Sequence, residues 1–596
     1  MAVQSLWRRS VWFVCALVFC VALSDEPASA IEAAEAATKP PVTVNVFVST
    51  RNDTCYDRGD VAAITRFVTE EQRRINAQGG IAGHKLDLRI LDDYRDQNRT
   101  TANMREALSD PDSVAMIGMS SSDRSKAVFE AAGKEIKQKN IPFLSAISVS
   151  SIFKDYPNVF TMRASQDDER LPVLAQFVRR SGFQRPAFVG MRDQLYSTSL
   201  ADGLNRVMGA YIVADHRIAT KDNKADSAGF PAVIADLKEK NPDIVFLAIG
   251  ADRNGEFVKA LKEAGVTPAI MLTGRINSVP KDIASDYPSA LFELVWDRLP
   301  DLYNARLMRR MAGQPPEDWV FIGDKISSAP GWANGECKER PASAADDPLS
   351  DDNLRAIGVG TQYADMLGII ASASRTADRD ADIKKLRSHI IEHLKTTYAA
   401  GRGVFQGQFE NWSFDPRTRT ATRTPFLVQL APGMGRTQLG PMQFARLKNE
   451  NLRAIGTQYL DIDLIRIFSV DDNEKTFHAE FYVSMRDDGL ENSIDLVEFS
   501  NAVINPQTND RQITVRTLAN GEKSDAYPDG MKIYHVSGRF LFQPELQTYP
   551  FDTQRFAINI RPKRGDKPFI VQPPPIDLRD SAVDAVGWEP KEQYVG

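Results

Sequence analysis

The stretch that decides the fold of the N-terminal region is INAQGGIAGHKLDLRILDDYRD, residues 75–96. It begins at the end of a helix that its spacing predicts over residues 60–77. The glycine-rich run 79–83 then predicts a turn. The segment Leu86–Leu91 predicts a strand, which ends at two aspartates. Helix, glycine turn and strand in this order are typical of an α/β sheet.

Strands and helices alternate on both sides of this stretch. Val42–Val48 is β-branched and predicts a buried strand. Further short apolar strands are predicted at Val114–Gly118, Phe143–Ala146, Pro186–Gly190, Asp243–Ile249 and Ala269–Leu272. Helical segments such as Arg170–Arg180 lie between them. This alternation predicts parallel sheets that are covered by helices on both faces.

Length and charge limit the class of protein. A chain of 596 residues is too long for one core, so we expect two or more domains. The formal net charge is -6 and no basic stripe stands out, which argues against nucleic acid as a partner.

The N-terminus predicts a secretory signal peptide, residues 1–30. Two arginines precede the apolar run Val11–Leu23, and Ala28-Ser29-Ala30 fits a small-x-small cleavage site. An uncleaved membrane anchor is the alternative. No later segment has about 18 apolar residues in a row, so we expect an exported, periplasmic protein without a transmembrane helix in its mature form.

The α/β region resembles the periplasmic amino-acid-binding protein family, type I, the leucine/isoleucine/valine-binding-like group. The motif in residues 75–96 carries the resemblance, and residues 115–128, 141–151 and 403–415 agree with it. The resemblance spans residues 41–433. It implies two α/β lobes with a small ligand held in the cleft between them.

The same resemblance implies the ligand-binding residues. Ser121 is the expected carboxylate partner, Ser145 and Ser148 lie in a second contact motif, and Tyr196 matches the family's cleft aromatic. The family usually has an acidic residue after the strand at Ala269–Leu272, whereas this chain has Thr-Gly-Arg ending at Arg275. An arginine there favours an acidic amino acid or another organic acid, or else it points outward.

Evidence for other site chemistry is thin. Cys55 and Cys337 remain after signal cleavage and form a possible disulfide. His389 and His393 lie at i and i+4 in HIIEH, an inverted zinc motif, but no third ligand can be assigned and a solvated helix face is favoured. We therefore expect no metal, no cofactor, no catalytic residues and no enzyme activity.

The hydrophobic period changes to two after a predicted linker, residues 434–456. Apolar residues alternate with polar ones around positions 460–464, 477–485 and 556–560, which predicts an all-β sandwich over residues 457–596. The run FQPELQTYPFDTQRF, residues 542–556, then resembles the signature loop of the pentameric ligand-gated ion channels, whose extracellular domain is such a sandwich.

That resemblance implies a coupling loop that pushes on pore helices. Phe542 and Phe556 occupy the family's two cysteine positions, and we expect their rings to hold the loop by packing. The loop residues between them are Tyr549, Pro550, Phe551, Asp552 and Gln554. We expect the channel-type domain to be incomplete at its C-terminus, because the family's last strand and four pore helices are absent from the chain.

Together these features favour an exported small-molecule sensor. Its cleft domain would bind an amino-acid-like or organic-acid ligand and act on the channel-type sandwich. One alternative is the solute-binding component of an ABC transporter for amino acids. Another is the extracellular part of a ligand-gated ion channel truncated before its pore. Self-association through the sandwich and a membrane partner remain open.

Overall fold

The structure is a computed structural model that describes residues 39–50, 55–221, 224–273, 278–295, 331–333, 336–338, 351–408, 411–430, 437–446, 452–486, 493–522, 531–544, 554–563, 569–572 and 584–586. The predicted signal peptide therefore lies outside the described residues. The chain divides into two compact units. Unit 1 joins Met1–Leu171, Gln194–Leu200 and Gly313–Arg423, and unit 2 joins Pro172–Asp193, Ala201–Ala312 and Thr424–Gly596.

The strands of the α/β part are, in chain order, β1 (Val42–Val48), β2 (Leu86–Asp92), β3 (Ser113–Gly118), β4 (Phe143–Ser145), β5 (Val159–Thr161), β6 (Pro186–Met191), β7 (Ala214–Ile218), β8 (Thr220–Lys221), β9 (Lys224–Ala225), β10 (Ile244–Ala248), β11 (Ala269–Leu272), β12 (Leu291–Val295), β13 (Gly331–Ala333), β14 (Glu336–Lys338), β15 (Phe405–Gln406), β16 (Asn411–Trp412), β17 (Phe426–Leu430) and β18 (Thr437–Leu439).

The α-helices of the described part are α1 (Cys55–Ala77), α2 (Gln97–Ser109), α3 (Ser122–Lys139), α4 (Leu171–Arg180), α5 (Leu195–Met208), α6 (Phe230–Lys240), α7 (Ala251–Glu263), α8 (Lys281–Asp286), α9 (Asp351–Ser374) and α10 (Ile383–Thr396). None of the helices in this part of the chain is long and apolar enough to cross a membrane.

Unit 1 contains a parallel sheet of five strands in the order β2-β1-β3-β4-β5. Alternate residues of β1 enter two different cores, since Val44 and Val46 pack with α9 and α10 while Phe47 packs with α2 and α3. All three side chains are nearly fully buried. The predicted parallel sheet covered on both faces is therefore confirmed here.

The stretch at residues 75–96 forms the predicted helix end, turn and strand. The helix ends at Ala77, and Ile81 and His84 form an isolated bridge within the turn. Gly80 has φ +74°, and a Cβ there would lie 1.9 Å from the carbonyl oxygen of His84. Only glycine fits this position, so the glycine-rich turn is a geometric requirement.

Unit 2 contains a sheet of seven strands in the order β18-β17-β12-β11-β10-β6-β7. Strands β6, β7, β10, β11 and β12 are parallel, whereas β17 and β18 run antiparallel at one edge. Strands β15 and β16 form a separate antiparallel pair in unit 1.

The C-terminal β module comprises β19 (Met442–Arg446), β20 (Leu452–Asp471), β21 (Thr476–Arg486), β22 (Val497–Phe499), β23 (Ile513–Asn520), β24 (Met531–Leu541), β25 (Ile560–Pro562), β26 (Phe569–Gln572) and β27 (Asp584–Ala585). Five of them form a sheet in the order β19-β20-β21-β24-β23, and β26 and β27 pair with β20. Strands β22 and β25 form a second sheet.

The period-two pattern of this module is confirmed on β21. Phe477, Phe481 and Val483 are fully buried, while Tyr482 on the opposite face is 36% exposed. The rings of Phe481 and Phe499 lie 5.7 Å apart and join the two sheets. These sheets suggest the predicted sandwich.

A buried glutamine connects the β module to the seven-stranded sheet within unit 2. Gln443 on β19 is fully buried, and its side chain accepts from the amide of Leu427 (3.0 Å) and donates to the carbonyls of Leu427 (2.7 Å) and Gly440 (3.0 Å). The hydroxyl of Thr457 also donates to Gly440 (2.6 Å). The described part of the predicted linker is therefore ordered strand and turn.

Candidate functional site

Polar residues follow three neighbouring strands of unit 1 where each strand ends. Ser49 follows β1, Asp93 follows β2, and Ser120-Ser121 follow β3 by one residue. Because the strands are parallel and adjacent, their carboxyl ends form one edge of the sheet. This is the edge at which open α/β sheets bind ligands.

A charged network stabilises this edge. The carboxylate of Asp93, 6% exposed, accepts from the hydroxyls of Ser49 (2.7 Å) and Thr100 (2.8 Å). The guanidinium of Arg124 lies 3.3 Å from the same carboxylate and donates to Ser49 (3.0 Å). The paired charges keep this part of the edge close to neutral.

Ser121 is the N-cap residue of helix α3. Its hydroxyl oxygen accepts a long hydrogen bond from the amide of Arg124 at 3.4 Å, and its side chain is half-buried. A serine hydroxyl that caps a helix can still donate its own proton to a carboxylate. The predicted role of Ser121 therefore stays a prediction that the geometry permits.

The second predicted serine motif is less accessible. Ser145 is fully buried, and its hydroxyl donates to the carbonyl of Phe160 at 2.9 Å. Ser148 is half-buried. The hydroxyl of Ser145 therefore bonds to the neighbouring strand β5, and its ligand contact stays a prediction.

The structure brings Tyr196 close to the helix that Ser121 caps. Asp123, on α3, accepts a hydrogen bond from the amide of Leu195 at 2.6 Å. Leu195 is the first residue of α5, and the half-buried Tyr196 follows it. The guanidinium of Arg170 lies 5.5 Å from the Tyr196 ring centroid. All of these residues belong to unit 1.

Sequence reasoning missed Asp123. The residue stands two positions after Ser121 in SSSDRS, which looks like an ordinary helix start with an acidic first turn. Its partner Leu195 is 72 residues away along the chain. No local pattern predicts that contact.

Arg275 lies outside the described residues, so the predicted arginine contact stays a prediction. The neighbouring part of unit 2 is described. Thr273 follows β11 and donates its hydroxyl to the carbonyl of Leu247 at 3.0 Å. Gly250 precedes α7 with φ +91° and ψ 150°, a conformation that only glycine adopts readily.

The histidine pair on α10 has local partners. The rings of His389 and His393 are 6.2 Å apart, and Nε2 of His389 lies 3.0 Å from the hydroxyl of Thr376. Burial, together with the neighbouring His389, lowers the pKa of His393. Within the described residues, no group of three or more histidine, cysteine or acidic side chains could hold a metal ion.

The predicted coupling loop is described only at its two ends. The rings of Phe542 and Phe556 are 5.2 Å apart at 63°, and both contact the ring of Phe477. Gln554 is half-buried. Tyr549, Pro550, Phe551 and Asp552 lie outside the described residues, as do the side chains of Cys55 and Cys337.

Comparison with known families supports the resemblance of the α/β region. Residues 72–331 match the family model of the periplasmic binding proteins. This part of the chain contains the glycine turn, Ser121, Asp123 and Tyr196. The two-lobed α/β fold of that family agrees with the two sheets described above. No curated protein sequence matches the chain.

Several solved structures are similar to part of this chain. A leucine-binding protein, LivK, from Thermotoga maritima is 14% identical, covering 67% of this chain and 97% of that chain with a TM-score of 0.47. An ABC transporter substrate-binding protein from Desulfitobacterium hafniense in complex with Leu is 18% identical (67% and 100%, TM-score 0.46). A solute-binding protein from R. palustris in complex with 4-hydroxybenzoate is 15% identical (68% and 96%, TM-score 0.46). These values are too low to carry an argument about function.

Proposed function

We propose that this chain is an exported binding protein for a small carboxylic acid of the amino-acid-like or aromatic-acid type. One observation carries the proposal. The 2.6 Å hydrogen bond between Asp123 and Leu195 brings the helix that follows Ser121 to the helix that carries Tyr196. This supports the proposal because Ser121, the proposed carboxylate partner, and Tyr196, the proposed aromatic contact, are each near one end of that bond in unit 1.

The start of helix α3 offers hydrogen-bond donors to a carboxylate, while Asp123 in its first turn limits how much negative charge a ligand can bring. Ser121 and Ser122 present a hydroxyl and backbone amides at the start of an 18-residue helix, whose N-terminus attracts negative charge. The nearby Arg124 is paired with Asp93, so it adds little free positive charge. We therefore expect the helix start, rather than an unpaired cation, to bind the ligand carboxylate.

Ligand-induced stabilisation tests this proposal. The probes are L-leucine, L-glutamate, benzoate and 4-hydroxybenzoate, measured by thermal shift and isothermal titration with the mature chain. We expect at least one probe to bind, and Ser121→Ala and Tyr196→Ala to weaken it about tenfold or more. Ser388→Ala and Tyr211→Ala, at exposed positions, are the matched controls. Failure of all four probes to bind would overturn the proposal.

A second proposal concerns the β module. We infer that it is a channel-type extracellular domain that responds to ligand binding in the α/β region. The contact between Phe542 and Phe556 favours this, because it closes the predicted loop where the channel family has two cysteines. An ABC transporter component with a docking sandwich is the alternative.

Hydrogen exchange distinguishes these two possibilities. We expect the probe identified by thermal shift to change amide protection in residues 531–544 and 554–563 as well as in unit 1. Changes confined to unit 1 and to the seven-stranded sheet would contradict the coupling and favour the transporter component.

N-terminal sequencing of the secreted protein tests export, with cleavage expected after Ala30.

A further inference from the structure

The segment that connects the sheet of unit 1 to helix α4 contains a buried amide with an unmet hydrogen bond. Gln166 is 2% exposed, and its Nε2 donates to the hydroxyl of Ser199 at 2.9 Å. Its Oε1 is buried and has no hydrogen-bond partner in the described structure. Exchanging the two amide atoms would leave the nitrogen unpaired instead.

Gln166 begins a single π-helical turn, Gln166–Arg170. Such turns are rare and often occur at functional sites. Ser165 caps the turn, accepting from the amide of Asp168 at 3.2 Å and donating to its carboxylate at 2.9 Å. The guanidinium of Arg417 bonds the same carboxylate at 2.7 Å. Ser165 and Arg417 therefore both hold Asp168, which lies two residues after Gln166 in the same turn.

The start of α5 is hydrogen-bonded on both sides of Tyr196, by α3 on one side and by the π turn on the other. Asp123 accepts a hydrogen bond from the amide of Leu195 before the tyrosine, and Gln166 donates one to the hydroxyl of Ser199 after it. Arg170, at the other end of the π turn, lies over the tyrosine ring. The Oδ1 atoms of Asn45 and Asn158 are also buried without a hydrogen-bond partner, but Asn45 lies on β1 and Asn158 directly precedes β5.

We propose that Gln166 is a specificity-determining residue of the ligand site, an inference that rests on the proposed function. Its unpaired amide oxygen accepts a hydrogen bond from an amine or hydroxyl group of the bound acid. A buried acceptor without a hydrogen-bond partner destabilises the unliganded protein. A ligand that donates a hydrogen bond to this acceptor removes the destabilisation and therefore binds more tightly. The site therefore selects acids with a donor group over the same acids without one.

Matched probe pairs test this selection. L-leucine is compared with 4-methylpentanoate, which lacks the amino group, and 4-hydroxybenzoate is compared with benzoate. In the wild type we expect the donor-bearing member of at least one pair to bind about tenfold more tightly. Gln166→Leu should reduce that ratio to about one while leaving the affinity for the donor-free member unchanged.

A second variant keeps the side chain's size. Gln166→Glu retains Oε1 and adds a negative charge, so L-leucine should gain affinity relative to 4-methylpentanoate. Gln138→Leu, at an exposed position on α3, is the control. The unliganded melting temperature should change little in Gln166→Leu, whereas a purely structural role would lower it.

Each outcome decides between the proposals. If the wild type binds a probe and Gln166→Leu keeps the donor preference, the role of Gln166 is refuted and the proposed function stands. The same conclusion follows if the variant weakens both members of a pair equally, or if a bound water alone fills the site. If no probe binds the wild type, both proposals fail.

Discussion

Asp365 is a carboxylate that the fold buries in α9. It is 5% exposed, and its two oxygens accept from the amide of Gln408 (2.8 Å) and from Nε1 of Trp412 (2.9 Å). Burial raises its pKa to about 6, and the nearby Glu71 acts in the same direction, while the hydrogen bonds and Arg423 oppose it. The group therefore titrates in the native state at a pH where it is already ionised in the unfolded chain.

This difference predicts a pH dependence of stability. Between about pH 4 and pH 6 the native state binds the extra proton, so the contribution of Asp365 to the free energy of unfolding rises as pH falls, by up to about 3 kcal/mol. Asp365→Asn should remove that contribution. Urea unfolding of both proteins at about pH 4.5 and pH 7 measures it, and identical pH dependences would contradict it.

Adding a single methyl group at Gly118, the last residue of β3, should strongly reduce the stability of the fold. Its φ is +106°, and a Cβ would lie 2.3 Å from the carbonyl oxygen of Phe47. Gly118→Ala should cost about 3 kcal/mol or more, because strain and a backbone clash add. Gly79→Ala is the control, since its φ is +94° with nothing within 4 Å. Chemical denaturation should show a loss of only about 1 kcal/mol for the control; equal losses would contradict the clash.

At the scale of the element, the ends of the predicted coupling loop depend on ring packing. Phe542 is 7% exposed and contacts Phe477 and Phe556, whereas the adjacent Leu541 is 49% exposed. Phe542→Ala should destabilise the β module by about 3–5 kcal/mol. Leu541→Ala should cost well under half of that. Denaturant unfolding of the two variants measures the difference, and similar losses would show that the ring cluster does not stabilise the module.

At the scale of the whole molecule, unit 2 combines an α/β sheet with the β module. Gln443 makes three hydrogen bonds across this junction and is fully buried. Gln443→Ala should leave the amide of Leu427 unpaired, at a cost of about 1–3 kcal/mol, whereas the carbonyl of Leu427 keeps its hydrogen bond from the amide of Gly440. In calorimetry, the transition that unit 2 shows in the wild type should then split into two. Gln507→Ala, at an exposed position in the β module, is the control, and an unsplit transition would contradict the joint.

The elements were largely predictable because their signals are local. The β-branched run at Val42–Val48 and the strand after the glycine turn form as predicted. The alternation on β21 gives the predicted buried face. Two-residue strands such as β15 and β16 carry no such local signal, so their pairing was not predictable.

The sequence by itself determined the α/β alternation and the change to period-two strands, and it named Ser121 and Tyr196 as candidates for the ligand site. Hydrophobic period and turn residues act over a few positions, so one chain segment is enough to reveal them. Only the tertiary structure decided three hydrogen-bond contacts: Asp123 with Leu195, Gln166 with Ser199, and Gln443 with Leu427 of the neighbouring sheet. These contacts link residues that are 72, 33 and 16 positions apart. They depend on packing, which no local pattern encodes.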